Sequence, residues 1–127
     1  MTPHGTVHWS ELMTRDTAAA IAFFEEVAGW RVEPMPMPDG TTYHLAHAGE
    51  VPVAGIFDGS DPMFDGLPPH WMTYIAVDDV DAACERAKGK GGEVRRVFDV
   101  SGVGRIAIIV DPTGGVVGLM TPADQPG

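Results

Sequence analysis

The residue of this sequence best suited to acid–base chemistry is Glu11, in the run VHWSELMT. The run mixes apolar and polar residues as a half-buried strand does, and alternation gives Glu11 one face with Trp9 and Met13. A carboxylate among aromatic and thioether groups is suited to act as a general base, so we expect Glu11 to take a proton from a ligand. An ion pair with Arg15 or Arg105, or exposure at the strand end, is the structural alternative.

A second group suited to proton transfer is His70, which follows two prolines at the start of a later strand-like run. If Met72 faces the ligand, alternation turns His70 and Tyr74 to the same side. Apolar walls with few polar groups are typical of a small-molecule site. We expect catalytic roles for Glu11 and His70, and ligand contacts from Trp9, Met13, Met72, Tyr74, Arg105 and Met120.

Several of these residues have structural alternatives that the sequence leaves open. Arg105 could anchor an anionic group or form a surface ion pair. Trp9 and Tyr74 could stack on a flat ligand or pack in the core, whereas we expect Trp71 in the core. Cys84 lies on the apolar stripe of a predicted helix and is expected to be an inert, buried thiol.

The histidines do not form a convincing metal site. His44 and His47 make an HxxH pair, which chelates a metal when it lies on a helix. Their run, TTYHLAHA, reads as a strand, where residues three apart face opposite ways, so we expect no shared metal. A metal site combining His8, His44 or His70 stays open but has no spacing in its favour.

The elements that must position these residues are predicted twice along the chain. In the first half a strand over 6–14 precedes a helix that Asp16 caps and Gly29 ends. Strands over 41–48 and 51–57 follow the stretch EPMPMPDG, whose prolines exclude a helix or a central strand.

The second half repeats this order after a turn-rich linker. The run WMTYIAV predicts a strand, and Asp78 or Asp79 caps a helix that Gly91 and Gly92 stop. The runs EVRRVFDV, GRIAIIV and VVGLM predict closing strands, and DPTGG predicts a turn without chemistry. The tail over 121–127 is expected to fray.

The two halves share one register. An offset of 63 residues takes Asp16 to Asp79 and Gly29 to Gly92, and it aligns VAGI with VVGL. Both helix boundaries and the last strand therefore keep the same spacing. This indicates an α+β fold made by duplication of one βαβββ unit.

The run WSELMTRDTAAAIAFFEEVAGW, followed by VAGI, HWMTYIAVDDVDAACERA, GG, VGR and DPTGG, resembles the vicinal oxygen chelate superfamily of glyoxalase I, bleomycin-resistance proteins and extradiol dioxygenases. The resemblance implies curved mixed sheets around a ligand cavity, helices outside, and a homodimer. It divides the single domain into a first module over about 5–57, a linker over 58–69, a second module over about 70–120 and the tail.

The resemblance also implies a divalent metal, held by the first and last strands of each module. The first-strand ligand stands seven residues before the helix-capping Asp, and the last-strand ligand seven residues after the Asp of the Asp-Pro turn. Here these positions and their counterparts are Trp9, Gly55, Met72 and Gly118. None offers an imidazole, carboxylate or thiolate, so we expect no metal cofactor.

Composition bounds the partners of this 127-residue chain. Eight Lys and Arg against eighteen Asp and Glu give a net charge of −10, which argues against nucleic acid. No apolar run approaches the roughly 20 residues that cross a bilayer, and the N-terminus lacks a signal peptide's pattern. One cysteine excludes an internal disulfide, and a cytoplasmic location is the default expectation.

We therefore expect a small-molecule protein of the glyoxalase/bleomycin-resistance type that has lost its metal site. As an enzyme it would be a lyase or isomerase that uses Glu11 as base on a carbonyl or aromatic substrate. As a binding protein it would sequester an aromatic or drug-like ligand without turnover. The missing metal ligands favour the binding-protein hypothesis, and Glu11 favours the enzyme hypothesis.

Overall fold

The computed structural model describes residues 2–123, so most of the predicted frayed tail lies outside the described residues. The described part is α+β, as predicted, with two helices and eight strands. In chain order the elements are β1 (Val7–Thr14), α1 (Thr17–Ala28), β2 (Arg31–Pro36), β3 (Thr42–Ala48), β4 (Val51–Asp58), a 3₁₀ turn (Pro62–Phe64), β5 (His70–Ala76), α2 (Val80–Gly89), β6 (Glu93–Val100), β7 (Gly104–Val110) and β8 (Val116–Pro122).

The chain divides into two compact units. The first unit comprises residues 10–72, and the second comprises residues 2–9 together with the described residues from 73 onward. Each unit holds one helix, and the boundaries between the units fall within β1 and β5. The last strand is longer than predicted, because β8 continues to Pro122 where a fraying tail was expected from position 121.

In the first unit the strand order is β2-β3-β4-β1. Strands β2, β3 and β4 are antiparallel neighbours, and β1 runs parallel to β4. The proline-rich stretch begins on β2, at the outer end of this order, where Pro34 and Pro36 remove no ladder hydrogen bond from a central strand. This agrees with the prediction that the stretch cannot form a central strand.

Helix α1 begins and ends where the sequence predicts. The Asp16 carboxylate accepts a hydrogen bond from the Ala19 amide at 3.0 Å, and Gly29 closes the helix in the left-handed region at φ 70°. None of the residues of α1 is buried, and Phe23 and Val27 on this helix are 56% and 63% exposed. The apolar stripe of α1 is thus only partly covered.

In the second unit the order is β5-β8-β7-β6, with β5 parallel to β8 and the remaining neighbours antiparallel. Asp79, and not Asp78, caps α2 by accepting from the Ala82 amide at 3.1 Å. Helix α2 packs into the core of this unit, whose buried residues are Val77, Val80, Ala83, Cys84, Ala107, Ile109 and Leu119.

Across the described residues, neither helix has both the length and the apolar character that crossing a membrane requires.

Candidate functional site

Strand pairing in the first unit places Glu11 in a row that crosses four strands. Glu11 lies beside Gly55, Gly55 beside Leu45, and Leu45 beside Glu33. Because paired residues in neighbouring strands point the same way, this row defines one face of the sheet. The adjacent row on that face carries Met35, Tyr43, Phe57 and Met13.

Glu11 has a specific polar partner on this face. The Tyr43 hydroxyl donates a hydrogen bond to Glu11 Oε1 at 2.8 Å, in a partly buried setting. A hydrogen bond to an ionised carboxylate is stronger than one between neutral groups. Glu11 is therefore held by a phenol. Arg15 and Arg105, the cations considered for an ion pair with it, bind other groups: Arg15 donates to the Phe64 carbonyl at 2.7 Å, and the partners of Arg105 are described below.

The glycine beside Glu11 makes room for this phenol. A Cβ atom at Gly55 would lie 1.6 Å from Tyr43 Oη and 2.1 Å from Tyr43 Cζ. Side-chain atoms in contact lie well beyond 3 Å apart, so any larger residue at position 55 displaces the Tyr43 ring. The phenol thus occupies the space over Gly55.

A tyrosine also covers the equivalent glycine of the second unit. Tyr74 pairs directly with Gly118, and a Cβ at Gly118 would lie 2.3 Å from Tyr74 Cδ1. Tyr74 is 5% exposed, so its ring packs tightly there. Both last-strand positions at which the resemblance implies a metal ligand are therefore glycines beneath tyrosine rings.

These four positions do not fit a divalent metal. Trp9 and Met72 carry an indole and a thioether, which are poor ligands for hard or borderline cations. At Gly55 and Gly118 the tyrosine rings occupy the space that a ligating side chain would need. Within residues 2–123 no three His, Cys, Asp or Glu side chains group closely enough to hold a metal ion elsewhere.

The predicted catalytic histidine is fixed at the start of β5. His70 Nδ1 lies 2.8 Å from the carbonyl oxygen of Pro68. A carbonyl oxygen only accepts, so Nδ1 is the donor and Nε2 is the nitrogen that can accept a proton. The catalytic role of His70 remains a prediction.

The HxxH pair lies on a strand, as expected. His44 and His47 are both on β3, where residues three apart face opposite sides. His44 pairs with the fully buried Ile56. His47 Nδ1 is a buried atom without a hydrogen-bond partner in the described structure.

Arg105 forms the surface ion pair that the sequence offered as its structural alternative. Its Nε lies 3.0 Å from Asp81 Oδ2 and its Nη1 lies 3.1 Å from Asp99 Oδ2. Hydrogen bonds to Asp81, and then to Asp99, raise the pKa of Arg105 above its ordinary value. Asp81 belongs to α2, so Arg105 lies on the helix side of its strand. A ligand contact from Arg105 remains a prediction.

The predicted methionine contacts differ in exposure. Met13 and Met120 are 2% and 4% exposed, and a Cβ atom at Gly59 would lie 2.0 Å from Met13 Sδ. Met72 and Trp9 are partly exposed. The first two are therefore core residues by their burial, and ligand contacts from all four remain predictions.

Trp71 is not the core residue that we expected. It is 42% exposed and lies at the edge of an aromatic cluster with Phe24 and Trp30, whose ring centroids are 5.6 Å and 6.2 Å away. Phe24 belongs to α1, none of whose residues is buried. Two aromatic neighbours therefore leave much of the indole in contact with solvent.

Cys84 is buried, as predicted. Desolvation, reinforced by the charge of Asp81, raises the pKa of the Cys84 thiol above its ordinary value. A neutral, buried thiol is a poor nucleophile. We therefore assign Cys84 to the packing of α2.

Sequence reasoning missed Tyr43. The signal for it was the hairpin of β3 and β4, which brings Tyr43 near Gly55 once the register is known. A bulge between Ala46 and His47 shifts that register, however, so counting back from the turn pairs Tyr43 one position away from its actual partner Phe57.

Comparison with known proteins identifies the family. The family model described as Glyoxalase/Bleomycin resistance protein/Dioxygenase superfamily matches residues 6–119. The Mycobacterium tuberculosis protein named "Putative glyoxylase CFP32" is 38% identical over 122 residues, which are 95% of this chain and 46% of that protein. The "Anthracycline biosynthesis protein DnrV" of Streptomyces peucetius is 31% identical over 124 residues, covering 87% of this chain and 44% of that one.

The chain thus spans less than half the length of these relatives. Solved structures share its fold. Methylmalonyl-CoA epimerase from Mycobacterium tuberculosis superposes with a TM-score of 0.64 at 20% identity, over 98% of this chain and 94% of that one. The hypothetical protein BH1468 from Bacillus halodurans gives a TM-score of 0.71 at 12% identity, over 97% and 98%. The family model covers nearly all of the chain, and the chain belongs to the Glyoxalase/Bleomycin resistance protein/Dioxygenase superfamily.

Proposed function

We propose that this chain is a metal-independent enzyme of the lyase or isomerase type, with Glu11 as general base on a small carbonyl or aromatic compound. The observation that carries the proposal is the Glu11 carboxylate held by the Tyr43 hydroxyl at 2.8 Å. A hydrogen bond donated to a carboxylate favours its ionised form, in which it can accept a proton.

The reaction that such a pair supports is proton removal next to a carbonyl group. Glu11 takes the proton from the carbon, and the electron pair of the C–H bond moves to give an enolate with its charge on the carbonyl oxygen. Return of the proton to another face or carbon gives an isomer. Departure of a group from the next carbon, with its bonding electrons, gives a lyase product.

The residues at the family's metal positions support a route without a metal. Trp9, Gly55, Met72 and Gly118 do not fit a divalent cation, so no step is assigned to one. The names of the relatives, a glyoxylase and anthracycline biosynthesis proteins, support small-molecule chemistry. Those names describe proteins more than twice as long, and the activity of this chain is our proposal.

Deuterium exchange tests the proposal. The probe is β-tetralone, which combines a ketone with a flat aromatic ring, and the readout is loss of its α-proton signal in heavy water by NMR. Glu11→Gln should slow the protein-dependent exchange by about 100-fold or more, since general base catalysis contributes that much. Glu50→Gln is the matched control, because Glu50 is an exposed carboxylate in the β3–β4 turn. Equal exchange by wild type and Glu11→Gln would overturn the proposal.

The alternative is a binding protein without turnover. The row of Met35, Tyr43 and Phe57 beside Glu11 favours it, because aromatic and thioether side chains suit a flat apolar ligand. Quenching of tryptophan fluorescence by β-tetralone, lost in Phe57→Ala, together with no exchange in wild type, would support this alternative. A homodimer and a cytoplasmic location stay predictions.

A further inference from the structure

We infer that Tyr43 positions the carboxylate of Glu11, and that the absence of a side chain at Gly55 is what lets the Tyr43 ring reach that carboxylate. The catalytic consequence rests on the proposed function. The physical linkage of the three residues does not, because it can be measured on the protein without a substrate.

The linkage follows from strand order. Tyr43 stands on β3 and Glu11 on β1, with β4 between them. Neighbouring strands lie about 4.8 Å apart, so β3 and β1 are roughly 10 Å apart and their backbones cannot bring these groups together. The Tyr43 side chain must cross β4, and it does so over Gly55. The missing side chain at position 55 is therefore a condition for the hydrogen bond.

The hydrogen bond has a consequence for the geometry of the base. A carboxylate on a flexible Glu side chain rotates unless one of its oxygens is held. The Tyr43 hydroxyl holds Oε1, which fixes the orientation of the second oxygen as well. A base held in one orientation loses less entropy when it meets the substrate proton, so Tyr43 contributes to the rate through Glu11.

The second unit shows that packing alone does not require this arrangement. There the residue directly beside the glycine is Tyr74, and its own ring fills the space over Gly118. In the first unit the residue directly beside the glycine is Glu11, and the ring comes from the opposite neighbour. The first unit thus has a tyrosine ring over Gly55 and a carboxylate on the residue directly beside that glycine.

Two variants break the linkage in different ways. Tyr43→Phe keeps the ring and removes the hydroxyl. Gly55→Ala keeps the hydroxyl but adds a methyl group in the space that the ring occupies. The clash at Gly55 is with the far end of the Tyr43 side chain, which can swing away, so we expect Gly55→Ala to fold. Glu50→Gln is the control, because Glu50 is an exposed carboxylate in the β3–β4 turn.

Phenol ionisation gives a readout without substrate. The chain has two tyrosines, so in a Tyr74→Phe background the ultraviolet change on ionisation reports Tyr43 alone. A neighbouring carboxylate opposes formation of a phenolate. Glu11→Gln and Gly55→Ala should therefore each lower the pH midpoint of this change, and Glu50→Gln should leave it in place. If Tyr74→Phe does not fold, the same shifts are sought in one of the two transitions of the tyrosine pair.

The pH–rate profile of β-tetralone exchange gives the catalytic readout. Tyr43→Phe and Gly55→Ala should move the acidic limb to higher pH, because a carboxylate without its donor binds a proton more readily. Glu50→Gln should leave that limb in place. An unmoved limb in both first-unit variants would contradict a positioning role for Tyr43.

The two readouts separate failure of the inference from failure of the proposed function. If neither Glu11→Gln nor Gly55→Ala shifts the pH midpoint of Tyr43 ionisation, the inference is overturned, whatever the exchange rate. A linked midpoint without exchange in wild type overturns the proposed function and leaves the Tyr43–Glu11 linkage standing.

Discussion

The two units place a tyrosine ring over a strand glycine in different ways. In each, a glycine on a strand that runs parallel to its neighbour lies beneath a tyrosine ring, Gly55 beneath Tyr43 and Gly118 beneath Tyr74. In the second unit the ring belongs to the residue directly beside the glycine. In the first unit that place belongs to Glu11. At positions 63 residues apart the units carry Glu11 and Tyr74, and they also carry Tyr43 and Ile106. Two substitutions at equivalent positions therefore separate a packed face from a face that carries an acid.

The helices of the two units also differ in how much of their surface is buried. Helix α2 buries Val80, Ala83 and Cys84 in the core of its unit, whereas no residue of α1 is buried. Burial of apolar surface is the main source of folding free energy. The second unit is thus the better packed of the two, and the first unit carries the polar groups suited to chemistry.

Among substitutions that test the difference between the two units, the largest expected effect is on activity. Glu11→Gln should reduce β-tetralone exchange by about 100-fold or more, because the base is lost. Glu85→Gln, which removes an exposed carboxylate from α2 of the second unit, should alter exchange far less, since it leaves the Glu11 carboxylate in place. Both rates are measured by NMR on folded protein. Comparable losses in the two variants would erase the functional distinction between the units.

The next effect is on stability. Val80 is 1% exposed and Val27 is 63% exposed, so Val80→Ala and Val27→Ala compare the same change on α2 and α1. We expect Val80→Ala to lower the free energy of unfolding by about 2 kcal/mol, since it removes buried methyl groups and leaves a cavity. Val27→Ala should change it by less than about 0.5 kcal/mol.

Urea denaturation measures both changes in stability. A cost at Val27 that equals the cost at Val80 would show that the free protein covers α1 as well as it covers α2, which the exposure of α1 contradicts.

A smaller effect is expected at the helix caps. Asp16 and Asp79 accept equivalent hydrogen bonds, at 3.0 Å and 3.1 Å. Replacing either with Ala removes an N-cap, which costs about 1 kcal/mol in typical helices. We expect Asp79→Ala to lower global stability, and Asp16→Ala chiefly to speed hydrogen exchange in the first turn of α1, which has no buried contact to lose. Global destabilisation by Asp16→Ala alone would reverse this expectation.

The smallest effect concerns the thiol of the better packed unit. Burial raises the pKa of Cys84, so the neutral thiol should react with iodoacetamide only when α2 opens. Labelling followed by mass spectrometry should be slow in native protein and fast in urea. Rapid labelling of native protein would show that α2 is as loosely covered as α1.

Much of the fold could be predicted because local signals agree with each other. The caps at Asp16 and Asp79, the helix stop at Gly29 and the common offset each indicate the same duplicated unit. The spacing of apolar residues was sufficient to place Cys84 on the buried side of α2, where it belongs to the core of its unit.

The site was less accessible to sequence reasoning, because it depends on register and on packing between elements. The bulge at Ala46 and His47 moves Tyr43 by one position, and no local pattern marks it. The pairing of Arg105 with Asp81 and Asp99 joins elements whose relative placement is set by tertiary packing. Trp71 was expected in the core because it is a large apolar residue. The expectation failed because apolar content does not reveal how completely a helix is covered.

The most direct test of a metal-independent base at Glu11 is β-tetralone exchange by protein freed of metal. The rate is measured before and after dialysis against a chelator, with metal content determined on the same samples and with Glu11→Gln as the inactive reference. We predict the full rate in metal-free wild type and loss of the rate in the variant. A rate that disappears with the chelator and returns with a divalent cation would contradict it.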